Sequence, residues 1–195
     1  MMKETQVFNT YQQKTKTYKT MLWIGMVSMF MMFAGLTSAY IVSKSRPDWL
    51  TDFELPSAFW FSTMVIVLSS FTFFQSVNAI KGNNRKKATL FLLLTLVLGI
   101  SFVVSQFIGF DQVINNGFYF TGANSNVTTS FLYIVVILHL LHLTAGMISL
   151  LSVIYNHFKR KYNSESFLGI ELSATFWHFL DFVWLYLFLF FSFLK

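Results

Sequence analysis

Five long apolar runs, at residues 21–42, 57–80, 88–110, 129–155 and 170–194, constrain this chain more than any other feature. Each is close to the roughly 20 residues that cover about 30 Å of hydrocarbon as a helix. Inside a bilayer no water reaches the backbone, so a crossing segment is either a helix or a strand of a closed barrel. The runs are continuously apolar and do not alternate, which selects helices. The punctuation falls between them. Pro47 and Pro56, the only 2 prolines, lie in the first gap, and Lys81-Gly82-Asn83-Asn84 signals a turn in the second. The expected fold is all-α: an integral membrane bundle of five transmembrane helices forming one domain over residues 21–195, preceded by a cytoplasmic N-terminal segment at 1–20.

Charge placement sets the orientation. Short cytoplasmic loops carry the excess of Lys and Arg. Lys3, Lys14, Lys16 and Lys19 precede the first run; Lys81, Arg85, Lys86 and Lys87 lie between the second and third; Lys159, Arg160 and Lys161 lie between the fourth and fifth. Only Lys44, Arg46 and Lys195 fall on the other side, and the 3–4 gap has no basic residue. The N-terminus is therefore expected in the cytoplasm and the C-terminus outside, with an external loop rich in Asn and Gly at 111–127. Residues 1–20 contain no apolar stretch and do not read as a cleavable signal, so the first helix is expected to direct insertion. Trp23, Trp49 and Trp60 are placed to sit at headgroup depth.

Composition removes several classes of function. Charged residues make up 11% of the chain, against about 25% in globular proteins, which leaves no room for a second, soluble domain. A net charge of +6 would suit a nucleic-acid partner only if the basic residues shared one solvated face; they sit in the gaps instead, so no nucleic acid is expected. With no cysteine, disulfides, thiolate metal sites, iron-sulfur clusters and thiol catalysis are excluded. There is neither a nucleophile with an oriented base nor a Gly-rich phosphate loop, so no catalytic residue is assigned.

What remains is a set of ionisable side chains inside the runs, each costing a few kcal/mol at the bilayer centre unless it has a partner or a function. The fifth run carries Glu171 near its cytoplasmic end, then His178, with Asp181 roughly 15 Å deep by helical rise. Trp177, Asp181 and Trp184 stand at i, i+4 and i+7 and share a face, expected to point into protein. The fourth run carries His139 and His142, also near mid-depth, with Gly146 on the same stripe allowing close approach to the fifth helix. On this placement a histidine of helix 4 can meet Asp181 or His178.

Three readings of these residues stay open. The first is a structural polar network of His139, His142, Glu171, His178 and Asp181 that fixes helix register. In the second the same residues carry protons. In the third His139, His142 and His178 ligate a metal or haem, as in a membrane metalloenzyme. A carboxylate di-iron site is excluded for want of inward Glu residues. His157 reads as a solvated or headgroup-facing residue. Ser28, Ser69, Ser70, Gln75, Asn78 and Gln106 are expected to hydrogen-bond between helices.

The residues 176–188, FWHFLDFVWLYLF, closely resemble the last-helix signature of subunit III of the haem-copper cytochrome c oxidases, a Tyr-Trp-His-Phe-Val-Asp-x-Val-Trp run. Trp177, His178, Phe179, Asp181, Val183 and Trp184 match it position by position. His139-Leu140-Leu141-His142-Leu143 is similar to the family's His-Gly-Leu-His-Val motif, with Leu140 in place of the Gly. Ser28, Phe33 and Tyr40 fit the first-helix pattern; Leu55-Pro56 and Ser69-Ser70 resemble the second helix, and Gly99, Phe102 and Gln106 the third. Two departures stand out. Met29 occupies the place of the family's first-helix carboxylate, and the acidic residue that usually follows the third-helix Gln is absent, with Gly109 near that place.

The resemblance is to the bacterial five-helix form and covers nearly the whole chain. It implies a cofactor-free, non-catalytic subunit of a proton-pumping aa3-type terminal oxidase in aerobic respiratory electron transport. Such a subunit sits in the bacterial inner (cytoplasmic) membrane, packed on subunit I, which holds the haem and copper, beside the other oxidase subunits, and in some cases within a larger respiratory supercomplex. It binds phospholipid and supports proton uptake or oxygen access. A quinol oxidase subunit III is the alternative within the family.

Overall fold

The computed structural model describes residues 2–46, 49, 56–120, 122, 126–162 and 167–193, with side chains described from residue 13 onward. Pro47, Leu55, the side chain of Lys3, and Leu194 and Lys195 lie outside this set. Five helices follow one another: α1 (Met2–Ser43), α2 (Ser57–Lys81), α3 (Arg85–Asn115), α4 (Val127–Phe158) and α5 (Leu168–Phe193). Each is long and apolar enough to cross a membrane, α1 from Gln13 onward. The protein is thus an all-helical, multi-pass membrane protein.

The helices begin and end where backbone chemistry permits, which is not always where apolarity stops. α1 starts well ahead of residue 21 because residues 2–20 contain neither Pro nor Gly to break it. Its 42 residues extend roughly 63 Å, so its first turns project beyond the hydrocarbon. α3 continues past Phe110 to Asn115, so the expected loop at 111–127 is shortened from its start. Val113 is buried, and Oε1 of Gln112 accepts from the N–H of Ala58 at 3.4 Å. The α2–α3 turn follows its sequence. Asn83 takes a left-handed φ of 54°, a conformation Asn tolerates well, and the Asn84 side chain caps α3 by accepting from Lys87 N–H at 3.2 Å.

α2, α3, α4 and α5 form a four-helix ring, and α1 packs outside it, meeting α4 and α5 among the described helices. The α2–α3 hairpin is the most intimate pair because small residues face each other. Ser62, Ser69 and Ser76, spaced by seven, are fully buried on α2, Gly109 of α3 lies against Phe59, and the Thr72 and Thr95 hydroxyls bond at 2.8 Å. α5 is the most buried span and carries the largest core side chain, Trp177. The outer surface is apolar, with Met31, Met64, Leu90, Phe107 and Leu141 largely exposed, as lipid contact requires.

Candidate functional site

The inner face of α5 is built from two tryptophans one heptad apart, each tied to a hydroxyl of α2. Trp177 Nε1–H donates to Ser69 Oγ and Trp184 Nε1–H to Thr63 Oγ1, both at 3.1 Å. Room for the Trp177 ring comes from two glycines. A Cβ at Gly99 of α3 would lie 2.9 Å from its Cη2, and one at Gly146 of α4 would lie 3.5 Å from its Cε3 and 2.8 Å from Leu180 Cδ1. Trp184 lies edge-on to Phe102, with ring centroids 5.0 Å apart. Helix register is therefore fixed by ring shape and two buried N–H donors together.

Asp181, between the two tryptophans, is 6% exposed, and neither carboxylate oxygen has a hydrogen-bond partner among the described residues. The Ser70 hydroxyl lies beside Asp181 and is hydrogen-bonded with His178 Nδ1 at 2.5 Å. His139 is fully buried, with neither ring nitrogen partnered among the described residues, and is enclosed by Phe33 and Phe102 at 6.2 Å and by Trp184 at 5.3 Å between ring centroids. His142 donates Nδ1–H to the Leu138 carbonyl at 2.7 Å and lies 5.7 Å from the Phe33 ring. Glu171 bridges to Lys19 of α1 at 3.0 Å.

No hydrogen bond joins any two of His139, His142, Glu171, His178 and Asp181, and the expected meeting of a helix 4 histidine with Asp181 or His178 is not formed. The reason is rotational. Asp181 and His178 face Ser70 of α2, whereas His139 faces Phe33 of α1 and Phe102 of α3. Among the described residues no group of three or more potential ligands is assembled to hold a metal ion, so His139, His142 and His178 do not converge.

Two further expectations need correcting. Gln106 is fully buried, yet neither amide atom has a partner among the described residues. His157 is 6% exposed rather than solvated, with Nε2 on Thr89 Oγ1 at 2.9 Å. Ser69 bonds between helices as expected, accepting from Trp177. The pairings Trp184–Thr63 and Thr37–Tyr186, the latter at 2.8 Å between α1 and α5, are not foreseen from the sequence. The seven-residue spacing of Trp177 and Trp184 on α5, matched by Ser62 and Ser69 on α2, is a signal for the first to within one residue, and it gives none for the second.

The family model for cytochrome c oxidase subunit III matches residues 3–194. The chain belongs to this family. Subunit III relatives carry two kinds of name. Cytochrome c oxidase subunit 3 of Bacillus sp. (strain PS3) is 26% identical, over 85% of this chain and 80% of the relative. Quinol oxidase subunit 3 of Bacillus subtilis (strain 168) is 25% identical, over 91% of this chain and 88% of the relative. Cytochrome bo(3) ubiquinol oxidase subunit 3 of Buchnera aphidicola is 30% identical, over 93% of this chain and 89% of the relative. In this chain the matched Trp177, Asp181, Val183 and Trp184 are buried on α5, the matched His178 and Phe179 are half-buried, and Met29 is half-buried on α1.

Proposed function

We propose that this chain is the non-catalytic subunit III of a proton-pumping aa3-type oxidase in a bacterial cytoplasmic membrane, with its N-terminus in the cytoplasm. It packs on subunit I, which holds haem and copper, and stabilises it. The observation that carries this reading is the α5 face itself. Trp177, Asp181 and Trp184 are buried at motif positions, and Asp181 is a carboxyl kept in the membrane interior with no hydrogen-bond partner for either oxygen among the described residues. A buried, unpaired polar group costs about 1–3 kcal/mol, so its presence points to a purpose in the assembled complex, in proton uptake or in durability. Proton entry at the first-helix position is not part of the proposal, since Met29 does not titrate. Orientation rests on the basic residues of the 2–3 and 4–5 connections and of the N-terminal segment, and phospholipid fills the apolar perimeter.

The second reading, a quinol oxidase, is favoured by the relatives of that name, which match this chain over as much of its length as the cytochrome c oxidases do. One experiment addresses both. The chain is tagged and purified in mild detergent, its companions are identified, and the preparation is assayed for oxygen consumption with reduced cytochrome c and with a quinol. Co-purification of a haem-copper subunit I supports the proposal, and the donor that is oxidised selects between the two readings. Recovery of the chain without such a companion would refute both.

A further inference from the structure

α1 and α5 are tied at two levels, by Lys19–Glu171 at 3.0 Å and by Thr37–Tyr186 at 2.8 Å. Between these ties lies an open apolar groove of about 490 Å³, within the range of small-molecule sites, roughly 300–1,000 Å³. Trp23, Met26 and Phe30 form one wall, and His178, Phe179 and Phe182 the other.

Polar groups in the lining are few. The Thr175 hydroxyl is spent on the Glu171 carbonyl at 2.9 Å, and His178 Nδ1 is held by Ser70. The other imidazole nitrogen, Nε2, has no hydrogen-bond partner among the described residues and is not sealed in the core. It sits seven residues from Glu171, about 10 Å deeper along the helix. An acyl chain makes no use of an imidazole nitrogen, and a nitrogen left unpaired against hydrocarbon is costly. A flat ring bearing oxygen uses both the nitrogen and the aromatic walls. Ser70 can donate to Nδ1 or accept from it, so Nε2 can in turn donate to a carbonyl or accept from a hydroxyl.

We propose that this groove binds the head ring of an isoprenoid quinone or quinol, with one ring oxygen on Nε2 of His178 and the tail running out into the bilayer. No electron transfer is part of the proposal, and it stands independently of the donor that the complex oxidises.

The test is photolabelling of the purified complex with an azidoquinone, with labelled peptides mapped by mass spectrometry. Label is expected on residues 23–30 and 175–182, removed by excess decylquinone and not by the same excess of phosphatidylglycerol. His178→Leu should weaken labelling about fivefold, the value of one hydrogen bond. Val27→Trp fills the groove from α1, which does not touch α2 and so leaves Ser70 undisturbed; it should abolish the label even if the His178 variant fails to assemble. Label found only elsewhere, label displaced equally well by phospholipid, or label indifferent to Val27→Trp would each overturn the proposal. None of these results bears on co-purification with subunit I, so the two readings fail separately.

Discussion

Gly99→Ala is the sharpest test of how the bundle is held. The new methyl would sit 2.9 Å from Trp177 Cη2 and 2.9 Å from Met147 Sδ. Met147 is flexible and can swing aside. Trp177 cannot, because it is fully buried, bonded through Nε1 to Ser69 and backed by Leu180 and Gly146. Restoring ordinary carbon contact near 3.7 Å moves the ring by roughly 0.8 Å, enough to break a 3.1 Å hydrogen bond. Overpacking costs about 1–3 kcal/mol and the stranded N–H about 1–3 kcal/mol, against at most about 1 kcal/mol gained from the better helix former. The net expectation is a loss of about 1–6 kcal/mol, read from reversible unfolding of the detergent-solubilised protein. Gly25→Ala and Gly35→Ala are the controls, since a Cβ at either meets nothing within 4 Å; both should be neutral or slightly stabilising. A Gly99 variant as stable as the Gly35 variant refutes the reasoning.

Asp181→Leu removes a buried carboxyl with no hydrogen-bond partner among the described residues, so helical content should persist while the oxidase, at unchanged haem content, loses activity faster during turnover; an equally durable complex contradicts this. A double-mutant cycle on Thr37→Val and Tyr186→Phe should return a coupling of about 0.6 kcal/mol, typical of hydrogen bonds between membrane helices, and a coupling of zero would remove this tie between α1 and α5. Burial raises the pKa of Tyr162, in the α4–α5 connection, above its ordinary value of 10.0. The folded protein then holds that proton more tightly than the unfolded chain, so the stability it contributes is complete below pH 10 and is lost as pH rises through the folded pKa. Melting curves recorded across that alkaline range should show Tyr162→Phe losing less than the parent, and parallel losses would count against it.

The sequence alone specifies how deep each polar residue lies, and leaves open which way it turns. Apolar length locates five helices, and the i, i+4, i+7 spacing places Trp177, Asp181 and Trp184 on one side of α5. Rise per residue brings His139 and Asp181 to similar depths. Rotation about the axis depends on which neighbour is packed where, and that is settled by shape: the Trp177 ring seated between Gly99 and Gly146, and the indole donors on Ser69 and Thr63. With those fixed, Asp181 turns to α2 and His139 to the aromatic cage of Phe33, Phe102 and Trp184. The early start of α1 was hidden for a different reason, since a polar segment with no Pro or Gly to break a helix leaves no mark in an apolarity profile.

That α1, among the described helices, rests on α4 and α5 bears on biosynthesis. Once made, α1 must wait for α4 and then α5, on the order of ten seconds at ordinary translation rates. Until α4 follows, it stands in the bilayer with neither of the helices it packs on, open to insertases, proteases or a premature encounter with another polypeptide. A product cut short before residue 168 would leave α1 on α4 without α5, which makes completion of α5 the natural checkpoint for quality control.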